Sequence, residues 1–174
     1  MNIELKNIVV FDKMSEETTA FHGTIRIDGK PVGEAGNDGK GGATYYRASH
    51  HDFIPLIKEA EKYCIQLPPV KYAEGDTLPM DLEFYLDLIV EKHIEQKEII
   101  RLQKKRLTMQ KDSLIFGTET KFSGVFWRGN PGKIPIETML KHYRDILISK
   151  IAEVKSNLKP GERILNTNIP TELL

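Results

Sequence analysis

Apolar and polar positions alternate over much of residues 2–47, at the period of two that marks strands with one buried face. Ile3 and Leu5 alternate with Glu4 and Lys6 at the start of a β-rich run that ends at Phe11. Ser15-Glu16-Glu17-Thr18 is a polar link. From Thr19 to Ile27 the pattern is clearest: Phe21, Gly23, Ile25 and Ile27 share one face, and His22, Thr24 and Arg26 share the other. Asp28-Gly29 reads as a tight hairpin turn, because glycine accepts the positive φ that such turns demand. Pro31 to Ala35 is the return strand, and Ala43–Arg47 a short fourth strand. The expectation is an antiparallel meander of about four strands.

The period then changes. Phe53, Ile54, Ile57, Ala60, Glu61 and Cys64 step at three and four residues, which predicts a helix with Ser49 as its N-cap and Pro68-Pro69 as its stop. A loop to Pro79 follows. Between Asp81 and Lys111 there is no glycine or proline, and an apolar stripe drifts from Leu82 through Leu86, Val90 and Ile94 to Met109. That predicts one helix of about 45 Å, long enough that an end should project or bridge two lobes. The C-terminal part reads β-β-α-β. Strands at 114–117 and 121–128 form a hairpin, an amphipathic helix runs from Pro135 to about Asn157, and a short strand covers 162–167. The expected class is α+β, in three segments: a meander plus helix (1–79), a long connecting helix with a basic second half (80–112) and a ββαβ lobe (113–174).

Charge sharpens this picture. The formal net charge is zero, yet residues 1–96 carry 10 Lys+Arg against 17 Asp+Glu, and residues 97–174 carry 15 against 8. Such asymmetry points to a charged partner. The basic excess concentrates in Lys97, Arg101, Lys104, Lys105, Arg106 and Lys111, opposed only by Glu98. Arg101, Lys104, Lys105 and Arg106 are expected to cover one broad side of the helix. With Lys97 and Lys111 they could meet about 4–6 phosphates. Trp127, Arg128 and Lys133, on a nearby hairpin, would add stacking and charge. The plainer reading is a solvated face, or one that docks on the acidic half within a dimer.

The remaining candidate chemistry is sparse. Asn37-Asp38-Gly39-Lys40-Gly41-Gly42 could cradle an anion on backbone N–H groups. It lacks the GKS/GKT ending of a Walker motif and the helix of a dinucleotide fingerprint, so a glycine-rich connection is the simpler account. The five histidines show no metal-ligand spacing. His50 and His51 are adjacent, and on a helix adjacent residues diverge by about 100°. No G-x-S-x-G elbow occurs. Cys64 fits a buried small hydrophobe better than a nucleophile. Acidic pairs such as Asp52/Glu59, Asp81/Glu83 and Glu91/Glu95 read as solvated helix surface. These features favour a binding protein over an enzyme, with no cofactor and no metal. A single cysteine fits a reducing compartment. With neither a signal-peptide pattern at the start nor an apolar run of about 20 residues, the expectation is a cytoplasmic protein with no membrane contact.

Taken together, the start Met1-Asn2-Ile3-Glu4-Leu5-Lys6-Asn7-Ile8, then Ser15-Glu16-Glu17-Thr18, Gly33, Asn37-Asp38-Gly39 with Gly41-Gly42, and the ending Ile164-Leu165-Asn166-Thr167-Asn168 resemble a group of uncharacterised proteins carried by bacterial phages and mobile elements. The resemblance covers most of the chain, and its motifs are structural, so it transfers no active site. It implies a small non-enzymatic accessory protein that counters host defence. Within that setting the profile is similar to an anti-CRISPR protein that engages a type VI RNA-guided nuclease, its guide RNA, or both. Two other readings stand beside it: a nucleotide-phosphate-binding protein or enzyme using the Asn37–Gly42 loop, and an assembly protein that dimerises through the long helix.

Overall fold

The structure is a computed structural model that describes residues 1–71 and 77–174. Its class is α+β, and the chain divides into two compact units, Met1–Glu95 and Gln96–Leu174. The change of charge sign falls at this boundary: Gln96 is neutral, so the N-terminal unit holds the acidic excess and the C-terminal unit the basic one.

In the N-terminal unit, β1 (Ile3–Val10), β2 (Phe21–Ile27), β3 (Lys30–Asn37) and β4 (Tyr45–Ala48) form an antiparallel sheet in chain order. The alternation of β2 is realised, with Phe21, Gly23, Ile25 and Ile27 buried. Asp28 and Gly29 both take positive φ, 49° and 80°, which is the geometry of a primed hairpin turn. β1 has a bulge that the sequence did not announce. Its register shifts between Lys6 and Val9, where Asn7 has a φ of 54°. The sheet packs on α1 (Ile54–Ile65) and on the first part of α2 (Leu82–Met109). Ile25, Val32, Cys64, Leu82 and Leu86 lie at the centre of this core. Cys64 is fully buried, and burial pushes its thiol up to about 11. The thiolate is therefore suppressed, as expected of a packing residue.

Ser49 does not cap α1. Its N–H and Oγ both donate to the Val32 carbonyl, extending the pairing of the sheet instead. A single 3-10 turn, His51–Phe53, leads into the helix, and His50 Nδ1 accepts from the Asp52 N–H at 3.4 Å. The stretch expected as a plain loop carries a two-residue ladder, β5 (Val70–Lys71) with β6 (Thr77–Leu78); the rest of that stretch, residues 72–76, lies outside the described residues.

The C-terminal unit contains β7 (Ser113–Gly117), β8 (Phe122–Phe126), a small hairpin of β9 (Arg128–Gly129) and β10 (Gly132–Lys133), α3 (Ile136–His142), α4 (Arg144–Ser156) and β11 (Arg163–Ile164). The three-stranded sheet has the order β11-β7-β8. Leu114 packs with Ile136, Met139, Leu147 and Ile151 to form this unit's core. The single helix expected over 135–157 is two helices. Tyr143 breaks it with φ −137° and ψ 37°. The break turns Tyr143 and Ile146 out to solvent and returns Leu147, Ile151 and Val154 to the core. The Asn166 side chain continues the sheet beyond β11, accepting from the Ile115 N–H at 2.6 Å and donating to the Ser113 carbonyl at 3.0 Å. Thr167 and Asn168 fasten onto Gln110. The Asn166-Thr167-Asn168 ending is thus a structural clasp. Among the described residues no helix is long and apolar enough to cross a membrane.

Candidate nucleic-acid interface

A helical turn holds 3.6 residues, so Lys97, Arg101, Lys104 and Lys105 fall within an arc of about 100° on α2. All four are exposed, as is Lys111 just past the helix end. Glu98 forms a two-pronged pair with Arg101, at 2.6 and 2.7 Å, which holds the Glu98 carboxyl below its usual range. Among the described residues no carboxylate lies within ion-pair distance of Lys97, Lys104, Lys105 or Lys111. This row of like charge is therefore answered only in part from within the C-terminal unit.

Arg106 does not belong to that row. Nine residues after Lys97 places it about 180° around the helix. Its side chain is only 17% exposed and pairs with Glu119, which also holds Arg163 at 2.7 Å. The two arginines hold the Glu119 carboxyl below its usual range, Arg163 contributing most. Arg106 fastens α2 to the β7–β8 turn rather than facing a partner.

The strand face beside α2 carries the aromatic part of the site. Phe122, Gly124 and Phe126 share one face of β8, because side chains alternate along a strand. Lys105 Nζ stands 5.9 Å from the Phe122 ring centre. Phe126, 41% exposed, has Lys133 Nζ at 4.6 Å and the Arg128 guanidinium at 5.8 Å. Lys133 also reaches Asp112 at 3.4 Å. Between the two rings, a Cβ on Gly124 would come within 3.2 Å of the Met109 side chain, so α2 approaches this face closely. Trp127, the aromatic singled out by sequence, is not among these rings with a cation over them. It is half-buried and packs against the core of its unit. Its neighbour Phe126 is the exposed ring, and strand alternation from Phe122 was the signal that could have found it.

The Asn37–Gly42 loop uses its backbone internally. Asn37 is buried; its Oδ1 accepts from Thr18 Oγ1 and the Gly39 N–H, both at 2.8 Å, and its Nδ2 donates to the Gly42 carbonyl. The Lys40 N–H donates to Asp38, and the Gly41 N–H to Thr18. The Gly39 carbonyl accepts from the N–H groups of Glu16, Glu17 and Thr18. The amides of Gly39, Lys40 and Gly41 are therefore engaged within the chain. Nearby, Glu83 accepts from the Thr44 N–H at 3.0 Å and Asp87 from Thr44 Oγ1 at 2.6 Å. Carboxylates beside the loop give a field that opposes an anion.

His50 and His51 converge rather than diverge, because His50 is extended (φ −145°, ψ 154°) and precedes the turn. Their ring centres are 4.1 Å apart, and with Asp52 they form a group whose ligating atoms lie within 4.8 Å of one another, all exposed. Their donor types suit a borderline divalent ion. No protein-family model, curated protein or solved structure matches this chain.

Proposed function

We propose that this chain is a non-enzymatic binding protein whose C-terminal unit engages single-stranded RNA. The observation that carries the reading is the solvated row of Lys97, Arg101, Lys104 and Lys105 on one face of α2, adjoined through Lys105 by the cation-bearing rings of Phe122 and Phe126. Cations track a phosphate backbone, and exposed aromatic and guanidinium planes accept unpaired bases. Lys111, Arg128 and Lys133 extend the same basic character. The resemblance to proteins of phages and mobile elements supplies the setting: inhibition of an RNA-guided nuclease in the bacterial cytoplasm, by contact with its guide RNA or with an acidic surface of the nuclease.

Binding of the full chain to a short labelled single-stranded RNA and to a DNA duplex, each across a salt series, tests this. Neutralising about 4–6 phosphates on a single strand gives a slope of about −3 to −4 for log K against log salt. Reversing Lys97, Lys104 and Lys105 to Glu should abolish RNA binding and relieve inhibition of RNA cleavage by a type VI nuclease, with the fold retained. Arg106 is left in place because it is structural. No RNA binding at low salt would overturn the reading.

A second reading is favoured by Ile100 and Leu107, which are seven apart on α2 and both about half exposed. They form an apolar strip beside the cations that a helix-mediated dimer would bury. Light scattering of Ile100→Ser/Leu107→Ser beside the unaltered chain separates the two.

A further inference from the structure

The N-terminal unit contains a cleft of about 700 Å³, within the range of about 300–1,000 Å³ found for ligand sites. One wall is the first part of α2. Glu83, Asp87, Glu91 and Glu95 line it, each four residues after the last. Phe21, Phe84, Leu88 and Ile94 line the same cleft and give it an apolar interior. The opposite rim is backbone-rich, formed by Thr18, Thr19 and Gly41 to Thr44. Four carboxylates on a helix face would by themselves be an ordinary solvated surface. Here they wall a cavity with an apolar lining, and that combination selects a ligand that is both cationic and apolar.

We propose that this cleft receives a basic segment of a partner protein, in extended form, with arginine or lysine at alternate positions and apolar residues between. The inference does not rest on the RNA reading. Three observations carry it.

The first is spacing. Carboxylates four residues apart on a helix are separated by about 6 Å along its axis. Alternate side chains of an extended segment are separated by about 6.7 Å. The row also turns about 40° per step around the helix, so an extended segment that twists with it, as strands do, meets the four rungs with four alternating cations over about 18–20 Å.

The second is charge. Like charges four apart on a helix destabilise it, and among the described residues none of these four lies within ion-pair distance of a cation. The first two carboxylates, Glu83 and Asp87, fix Thr44 at the rim, while Glu91 and Glu95 are exposed. Partial burial raises the Asp87 carboxyl above its usual range, the Glu83 charge adding to the effect.

The third is that the carboxylates are strung out rather than convergent. Among the described residues, His50, His51 and Asp52 form the sole group of three ligating atoms close enough to share one ion. A point cation does not match the ladder, whereas a row of cations does.

The test uses the full chain and a labelled, amidated heptapeptide with arginine at positions 1, 3, 5 and 7 and leucine between, about 20 Å long when extended. Fluorescence anisotropy at about 50 mM salt keeps screening modest. Three results are expected. The peptide binds; its citrulline counterpart, of equal shape and no charge, does not; and Glu91→Gln/Glu95→Gln weakens binding by about fivefold or more. Asp12→Asn/Glu59→Gln removes the same charge outside the cleft and should leave affinity within about twofold. Absence of binding by the unaltered chain overturns the proposal. So do equal losses in the two double variants, which would mean bulk attraction. A chain that self-associates through Glu91 and Glu95 and thereby excludes the peptide also overturns it, assigning the cleft to a second copy.

Discussion

Arg128 and Lys133 face each other directly across the β9–β10 ladder, and both cations stand over the ring of Phe126. Like charges placed opposite each other in a sheet are destabilising. The ring and the Asp112 carboxylate offset that cost in part. The arrangement keeps two cations beside an exposed aromatic plane, as a single-stranded partner would require.

Phe126→Ala should therefore weaken RNA binding by about fivefold or more, since stacking contributes about 1–3 kcal/mol per base. The ring lies 41% exposed, so the melting temperature should move by no more than about 2 °C. Trp127→Ala should show the reverse balance, with a large loss of stability, because that ring packs against the core. Thermal unfolding and anisotropy on the two variants distinguish them.

Glu119→Gln should destabilise the C-terminal unit at neutral pH by about 1 kcal/mol, because it leaves the mostly buried Arg106 without its carboxylate. The native carboxyl is held below its usual range. Its contribution is thus complete above the ordinary value of 4.5 and is lost as pH falls through the lowered value. Melting curves of the two proteins should differ at pH 7 and converge in acid.

Asp87→Asn carries the opposite sign. Burial raises this carboxyl above its ordinary value of 3.8. Ionising it costs stability progressively as pH rises from that value through the raised one, and in full above. Asparagine can still accept from Thr44 Oγ1. The variant should melt about 2 °C or more above the native chain at pH 7 and show no advantage below about pH 3.8.

Gly39→Ala should destabilise the N-terminal unit by about 2 kcal/mol or more. Gly39 has a φ of 84°, and an added Cβ would collide with the Met14 carbonyl and the Ala20 side chain. Denaturant unfolding measures the loss. An equal loss in the absence and presence of a nucleotide would show that the loop is architectural.

The meander was legible because Phe21, Gly23, Ile25 and Ile27 obey a local period and Asp28-Gly29 permits one tight turn. The two-helix break at Tyr143 was not, since neither glycine nor proline marks it. Its cause is the core, which Leu147, Ile151 and Val154 reach only after a change of direction. Within the site, the basic row was visible in the spacing. The exclusion of Arg106 was also available, from helical geometry alone. The acidic ladder was visible only as solvated pairs. What makes it one wall of a cleft is Thr44, bonded across 39 and 43 residues to Glu83 and Asp87, and such distant pairings leave no local pattern.

The ladder of β1, the outer strand of the meander, breaks between Lys6 and Val9. Its outer edge offers no straight run of free N–H and C=O groups there, and an added strand would first have to flatten the kink at Asn7. The kink shortens the regular part of that edge to Ile3–Lys6, so a chance partner strand finds only a four-residue template before it must bend.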